Sequence, residues 1–211
     1  MIDLKNIKNI IFDLGGVILN VDYLKTIEAF KQIGIIDYDK IYTQNHQNEL
    51  FNKIEKGTIS MQGFRNEIRK LSVNNITDDQ IDEAWNSMVL DFPPERFDLL
   101  KELKNHFNCY LLSNTNEIHF IFYTNLLYKT FKIKNLSELF LKEYYSHIIG
   151  MRKPDIKFYE LVLNENQLIP SETLFIDDTA INIEIADKTG INTYLLQKNE
   201  TICEIFKNYI Y

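Results

Sequence analysis

Several short apolar runs in this chain end abruptly in polar loops, and that repetition limits the folds open to it more than any other feature. Ile10 to Phe12, extended back to Asn9, stops at Asp13, Gly15 and Gly16. Cys109 to Leu112 runs into Ser113-Asn114-Thr115-Asn116, His147 to Ile149 into Gly150-Met151-Arg152-Lys153-Pro154, and Leu174 to Ile176 into Asp177-Asp178-Thr179. A last run, Thr193 to Leu196, follows Gly190. Unbroken rather than alternating apolar residues are the pattern of strands buried on both faces, as in a parallel sheet.

Between these runs lie stretches with helical spacing: Phe97, Leu100, Leu103 and Phe107; Ile118, Phe122 and Leu126; Phe158, Leu161 and Val162; Ile181, Ile185 and Ala186. Strands alternating with helices predict an α/β fold, a Rossmann-like parallel sheet with helices on both faces. In such sheets ligands collect outside the carboxyl ends of the strands, which is where the polar loops fall. The aromatic segment from Phe120 to Lys142 reads as helical and core-packed, and an exposed part of it would suit a homodimer as readily as a monomer.

One stretch breaks the alternation. From about Tyr23 to Phe92 the pattern is helix after helix, with apolar sets Leu24, Ile27 and Phe30, then Ile41, Leu50, Phe51 and Ile54. Thr77-x-x-Gln80 has the form of a capping box opening a helix that carries Ile81, Ala84, Trp85 and Met88. The paired Pro93 and Pro94 prevent helix continuation and mark the return. The expected division is a core of residues 1–20 and 93–211, with a helical cap over 21–92.

The 23 Lys and Arg against 30 Asp and Glu leave a formal charge of −7, which gives no sequence-wide attraction for a polyanion and excludes nucleic acid as the first expectation. An anionic substrate would need positive charge focused locally. Two cysteines, Cys109 and Cys203, have no CxxC spacing or neighbouring His and read as reduced packing residues. No run approaches the roughly 20 apolar residues of a membrane span, so a cytoplasmic protein without membrane contact is expected.

Taken in order, Ile11-Phe12-Asp13-Leu14-Gly15-Gly16-Val17, Leu112-Ser113-Asn114-Thr115-Asn116, Gly150-Met151-Arg152-Lys153-Pro154-Asp155 and Phe175-Ile176-Asp177-Asp178 with Asn182 resemble the four motifs of the haloacid dehalogenase (HAD) superfamily. The likeness covers nearly the whole chain, and the helical insertion matches the four-helix-bundle cap those proteins carry after the first motif. Within the superfamily it looks closest to the sugar-phosphate phosphatases related to α-D-glucose-1-phosphate phosphatase and the N-terminal domain of soluble epoxide hydrolase. The resemblance implies a magnesium-dependent phosphomonoester hydrolase acting on a small phosphorylated metabolite, a sugar phosphate above all, through an aspartyl phosphate on Asp13.

The residue types suit that chemistry. A phosphate monoester dianion resists attack by a carboxylate unless charge is neutralised. The resemblance gives magnesium to Asp13, the Gly15 carbonyl and Asp178, with Asp177 as a further ligand or a holder of the others. Hard oxygen donors without a His or Cys cluster favour magnesium over zinc. Opposite the metal, the Ser113 hydroxyl, the Asn114 N–H and the Lys153 ammonium would hold the phosphoryl oxygens, and Asn182 would orient Lys153 or a ligand.

The sequence departs from the pattern at Gly15, where most phosphatases of the superfamily have an Asp that serves as acid and base. Loss of such a group costs about 10² to 10⁴ in rate, although the glucose-1-phosphate phosphatase branch also carries Gly. Easily departing anomeric or acyl leaving groups would then be favoured, and Asp22, read first as a helix cap, is the nearest stand-in. A dehalogenase would not need the Asp177-Asp178 pair, and a phosphosugar mutase would need the acid that Gly15 lacks. A non-catalytic phospholigand- or partner-binding protein on the same fold is the alternative from another class.

Overall fold

The computed structural model describes residues 4–35 and 49–207. Five parallel strands, β1 (Asn9–Phe12), β2 (Asn108–Ser113), β3 (Lys142–Tyr145), β4 (Thr173–Asp177) and β5 (Asn192–Leu195), form one sheet in the order β3-β2-β1-β4-β5. The register sets Phe12 against both Leu111 and Ile176, so the loops after β1, β2 and β4 emerge at one level. Alternate strand residues face opposite layers. Ile10, Phe12, Leu111 and Ile176 join one apolar cluster, and Ile11, Tyr110, Leu112 and Phe175 join the other.

Helices cover both faces. On one side α8 (Ile156–Glu165) and α9 (Ala180–Asp187) bring Phe158, Val162 and Ala186 to the second cluster. On the other, α5 (Pro94–Leu103), α6 (Glu117–Phe131) and α10 (Ile202–Ile205) bring Phe97, Leu100, Leu127 and Ile202 to the first. A single helical turn, α7 (Ser146–Ile149), follows β3. Burial pushes the Cys109 thiol up to about 12, so it is an unreactive packing group, and both cysteines are free.

Among the described residues, the insertion after β1 contains α1 (Tyr23–Gln32), α2 (Glu49–Glu55), α3 (Met61–Leu71) and α4 (Asp78–Asn86). Their shared core is aromatic: the Trp85 ring lies 5.2 Å from Phe51, 5.6 Å from Phe64 and 6.3 Å from Phe30 between centroids. The Thr77–Gln80 capping box is present in both directions, at 2.9 and 3.2 Å. Val21 and Val89 pair antiparallel where the insertion leaves and returns, with Leu90 N–H donating to the Asn20 carbonyl at 3.0 Å. Pro94 then occupies the first turn of α5, where its missing N–H costs nothing.

The structure corrects three sequence expectations. The strand before Gly150 is Lys142–Tyr145, and His147–Ile149 belongs to α7, closed by Gly150 in the left-handed region at φ 79°. β3 is an edge strand with polar Lys142 and Glu143, so it lacks the apolar run that marks the central strands. The helix expected from Phe120 to Lys142 stops at Phe131 because Lys132 takes φ 61° and turns the chain. Leu24 is two-thirds exposed rather than core; Thr26 instead faces inward, its hydroxyl directed at the Ala84 and Trp85 carbonyls at 2.9 Å. Ile41 lies outside the described residues.

Candidate active site

The strand ends converge on a cavity of about 360 Å³ between the sheet and the helical insertion, a size suited to a small metabolite. Asp13 follows β1 directly, its N–H donating to Ile176 at 2.9 Å, so the first residue beyond the strand is still fixed by the sheet. Ser113 ends β2 and lines the cavity with Asn114. The Asn114 side chain holds the next loop, donating to the Lys153 carbonyl at 2.9 Å and accepting from the Lys153 N–H at 2.8 Å. Ser146 ties Thr115 in the same way, accepting from its N–H and donating to its carbonyl.

Lys153 is only 1% exposed and stands between two carboxylates, its Nζ 2.6 Å from Asp13 Oδ1 and 2.7 Å from Asp177 Oδ2. Burial works against the ammonium, but Asp13 and Asp177 outweigh it and hold Lys153 above its ordinary range. Asp177 is saturated by the protein: Asn182 Nδ2 lies 3.0 Å from both its oxygens, and the Thr179 N–H donates to it at 2.8 Å. Asn182 thus acts on Lys153 through Asp177.

Asp178 sits under the first loop, accepting from the Thr179 hydroxyl at 3.1 Å. Gly16 makes room for it. A Cβ there would lie 2.2 Å from Asp178 Oδ2, and the backbone is already at φ 77°. Asp13, Asp177 and Asp178 offer oxygen atoms all within 4.8 Å of one another. Burial first, then Asp177 and Asp178, push the Asp13 carboxyl up to about 8 against the pull of Lys153. Three clustered carboxylates against one ammonium leave a charge that a divalent cation would neutralise, and the donors are hard oxygens, so the residues fit magnesium.

The helical insertion forms one wall of the cavity. Arg152 donates from Nε to Glu55 Oε2 at 2.7 Å and from Nη1 to Asn52 Oδ1 at 2.8 Å, joining the motif loop to α2. Gly57 packs directly on the α7 backbone, where a Cβ would meet the His147 carbonyl at 2.2 Å. Tyr23, raised above the ordinary phenol range by burial and by Asp178, lines the same wall, as does His119. Asp22 caps α1, accepting from Leu24 N–H at 3.0 Å, and does not line the cavity.

The residues named from sequence thus come together, Asp22 excepted. Those the sequence reading passed over are Tyr23, Glu55, Arg152 and His119. Arg152, inside a motif loop and beside Lys153, carried the clearest signal; Glu55 had none, since only folding brings it to Arg152.

These parallel strands, the helices inserted after the first of them, and acidic loops at the first and fourth strand ends place the chain in a known class. It matches the haloacid dehalogenase-like hydrolase family over residues 7–188 and belongs to it. It is 32% identical over 188 residues, 89% of this chain and 91% of the relative, to D-ribitol-5-phosphate phosphatase of Bacteroides thetaiotaomicron. A HAD family enzyme of that organism, solved as an aspartate-to-alanine mutant with magnesium and inorganic phosphate, superposes with a TM-score of 0.89 at 36% identity, covering 95% of this chain and 98% of that one. A HAD-like family hydrolase from Porphyromonas gingivalis gives 0.86 at 29% identity, covering 96% and 97%.

Proposed function

We propose that this protein is a magnesium-dependent phosphomonoester hydrolase that acts on a small phosphorylated sugar or polyol, with Asp13 as nucleophile. The observation that carries the reading is the buried Asp13–Lys153–Asp177 chain beside Asp178 in the cavity. Relatives support it, one named for a phosphatase activity and one solved with magnesium and phosphate.

Asp13, Asp178 and the Gly15 carbonyl would hold magnesium, with Asp177 close by, and the ion supplies the positive charge that lets an anionic ester approach a carboxylate. Lys153 orients Asp13 and meets the phosphoryl oxygens with Ser113 and the Asn114 N–H. The Asp13 carboxylate attacks phosphorus as the ester P–O bond breaks, and water then attacks phosphorus to free phosphate and Asp13. The leaving oxygen needs a proton that Gly15 cannot give.

Neither Tyr23, held as a neutral phenol, nor His119, neutral down to a pKa of about 3, is tuned to transfer one near pH 7, and Glu55 is engaged by Arg152. The leaving oxygen, released as an alkoxide, would then take its proton from solvent water. Ribitol 5-phosphate, the substrate in the relative's name, is a primary-alcohol ester, which weighs against a preference for anomeric or acyl phosphates.

The same reading makes residues 1–20 and 93–211 the catalytic core and 21–92 a substrate-selecting cap, in a protein of the cytoplasm working as monomer or homodimer. Among the described residues no helix is long and apolar enough to cross a membrane. Phosphate release from sugar, alditol and nucleotide phosphates, with magnesium and with chelator, tests the function. Magnesium-dependent release that disappears in Asp13→Asn is expected. Magnesium binding with no release across the panel would favour a non-catalytic binding protein.

A further inference from the structure

Arg152 enters the cavity wall as half of an ion pair rather than as a lone cation. Its Nε donates to Glu55 Oε2 at 2.7 Å and its Nη1 to Asn52 Oδ1 at 2.8 Å. All three residues line the cavity, so the guanidinium where they meet is part of its wall. The Glu55 side chain is 8% exposed and that of Arg152 19%, which shields the pair from bulk water without sealing Arg152 off. A guanidinium has five N–H donors, and these bonds use two of them.

Backbone packing holds the pair together. Gly57, two residues after Glu55, lies so near α7 that a Cβ there would meet the His147 carbonyl at 2.2 Å. That approach fixes the end of α2 over the loop that carries Arg152. Drawing Arg152 away would break an ion pair whose acid is buried, so a ligand does not readily replace Glu55.

The charges that line the cavity then balance in two groups. Among the described residues its lining holds the cations Lys153 and Arg152 and the acids Asp13, Asp178 and Glu55. Lys153 lies between Asp13 and Asp177, and with the magnesium those acids fit it serves the phosphoryl group being transferred. Arg152 is answered by Glu55. No positive charge is left for a second anion, which would instead face the Glu55 carboxylate; a hydroxyl brings no charge and can accept from the unused donors of Arg152.

We propose that Glu55, by neutralising Arg152, fits the site to phosphate esters whose carbon chain carries hydroxyls and no second anionic group, and turns away those that end in a carboxylate or another phosphate. This rests on the phosphatase reading and deepens it. Glu55→Gln keeps the length of the side chain and an oxygen to accept from Arg152 Nε, and removes the charge. The assay compares kcat/KM, with magnesium, for a five-carbon alditol 5-phosphate and for the aldonate 5-phosphate that has a carboxylate in place of the terminal hydroxymethyl group. The native protein should favour the alditol ester by about tenfold or more. In Glu55→Gln the ratio should move toward the aldonate ester by about tenfold, and Arg152→Gln added to the same chain should undo that shift.

An unchanged ratio in Glu55→Gln, or a shift that survives the loss of Arg152, would overturn the assignment. The native protein alone gives a second test should a variant not fold: equal kcat/KM for the two esters defeats this inference and leaves the phosphatase reading standing. No turnover of any ester defeats both.

Discussion

His119 ties the stability of the protein to acid. The ring has a pKa of about 3 in the folded chain because burial excludes the charged form, against 6.5 for an ordinary histidine. Between those values the unfolded chain holds a proton that the native one does not, so stability rises with pH across this window and is lost as pH falls through it. From pH 7 to pH 5 the loss from this one group is about 2 kcal/mol, a large part of the ~5–15 kcal/mol typical of a domain. Asn places its amide nitrogen near Nδ1, which lies 2.9 Å from Asn86 Oδ1, so His119→Asn keeps that contact and removes the titration.

Urea unfolding of both proteins at pH 7 and pH 5, without magnesium, reads the difference. The native protein should lose about 2 kcal/mol more than the variant over that interval. Asp13, pushed up to about 8, has the opposite sign there, being more comfortable folded when protonated, but it is common to both proteins and cancels. Equal losses in native and variant would refute the claim that His119 is buried neutral.

Other expectations follow from single contacts. Gly16→Ala forces a Cβ onto Asp178 and should weaken magnesium binding at least about tenfold, read by calorimetry, with a further ~1–2 kcal/mol lost to the left-handed backbone. Arg152→Ala removes the ion pair to the buried Glu55 carboxylate and should cost about 3 kcal/mol in urea unfolding and raise KM, with Glu55→Gln in the same chain restoring part of the stability. Lys153→Met should abolish turnover while magnesium still binds, and its melting temperature should recover more on adding magnesium than the native protein's does. Asp22→Asn preserves a helix cap and should leave turnover unchanged; a fall of more than about tenfold would make Asp22 a proton donor after all.

The central strands were readable because burial on both faces leaves them almost wholly apolar, and each ended at a residue whose chemistry stood out. β3 was not, since an edge strand of Lys142, Glu143, Tyr144 and Tyr145 looks like a loop, and the apolar His147–Ile149 beside it drew the strand assignment one element too far. Asp13, Ser113, Lys153 and Asp178 were legible as a set from their order and their position after strands. The division of labour between the two adjacent acids was not: that Asp177 is saturated by Lys153, Asn182 and Thr179 depends on α9 folding back over β4. His119 was hidden for a similar reason, because its tautomer is set by Asn86, 33 residues away.

The paired segment around Val21 and Val89 carries an evolutionary consequence. Both ends of the inserted helices leave the sheet side by side and bond to each other, through Asn20 with Leu90 and Asp91, and through Asp22 with Met88. To the sheet, everything between them is one closed hairpin. Its length and content can drift, shrink or be exchanged between lineages without disturbing the strand that delivers Asp13. Such a lineage can acquire new substrates by recombination at two neighbouring points, while the reaction itself is inherited intact.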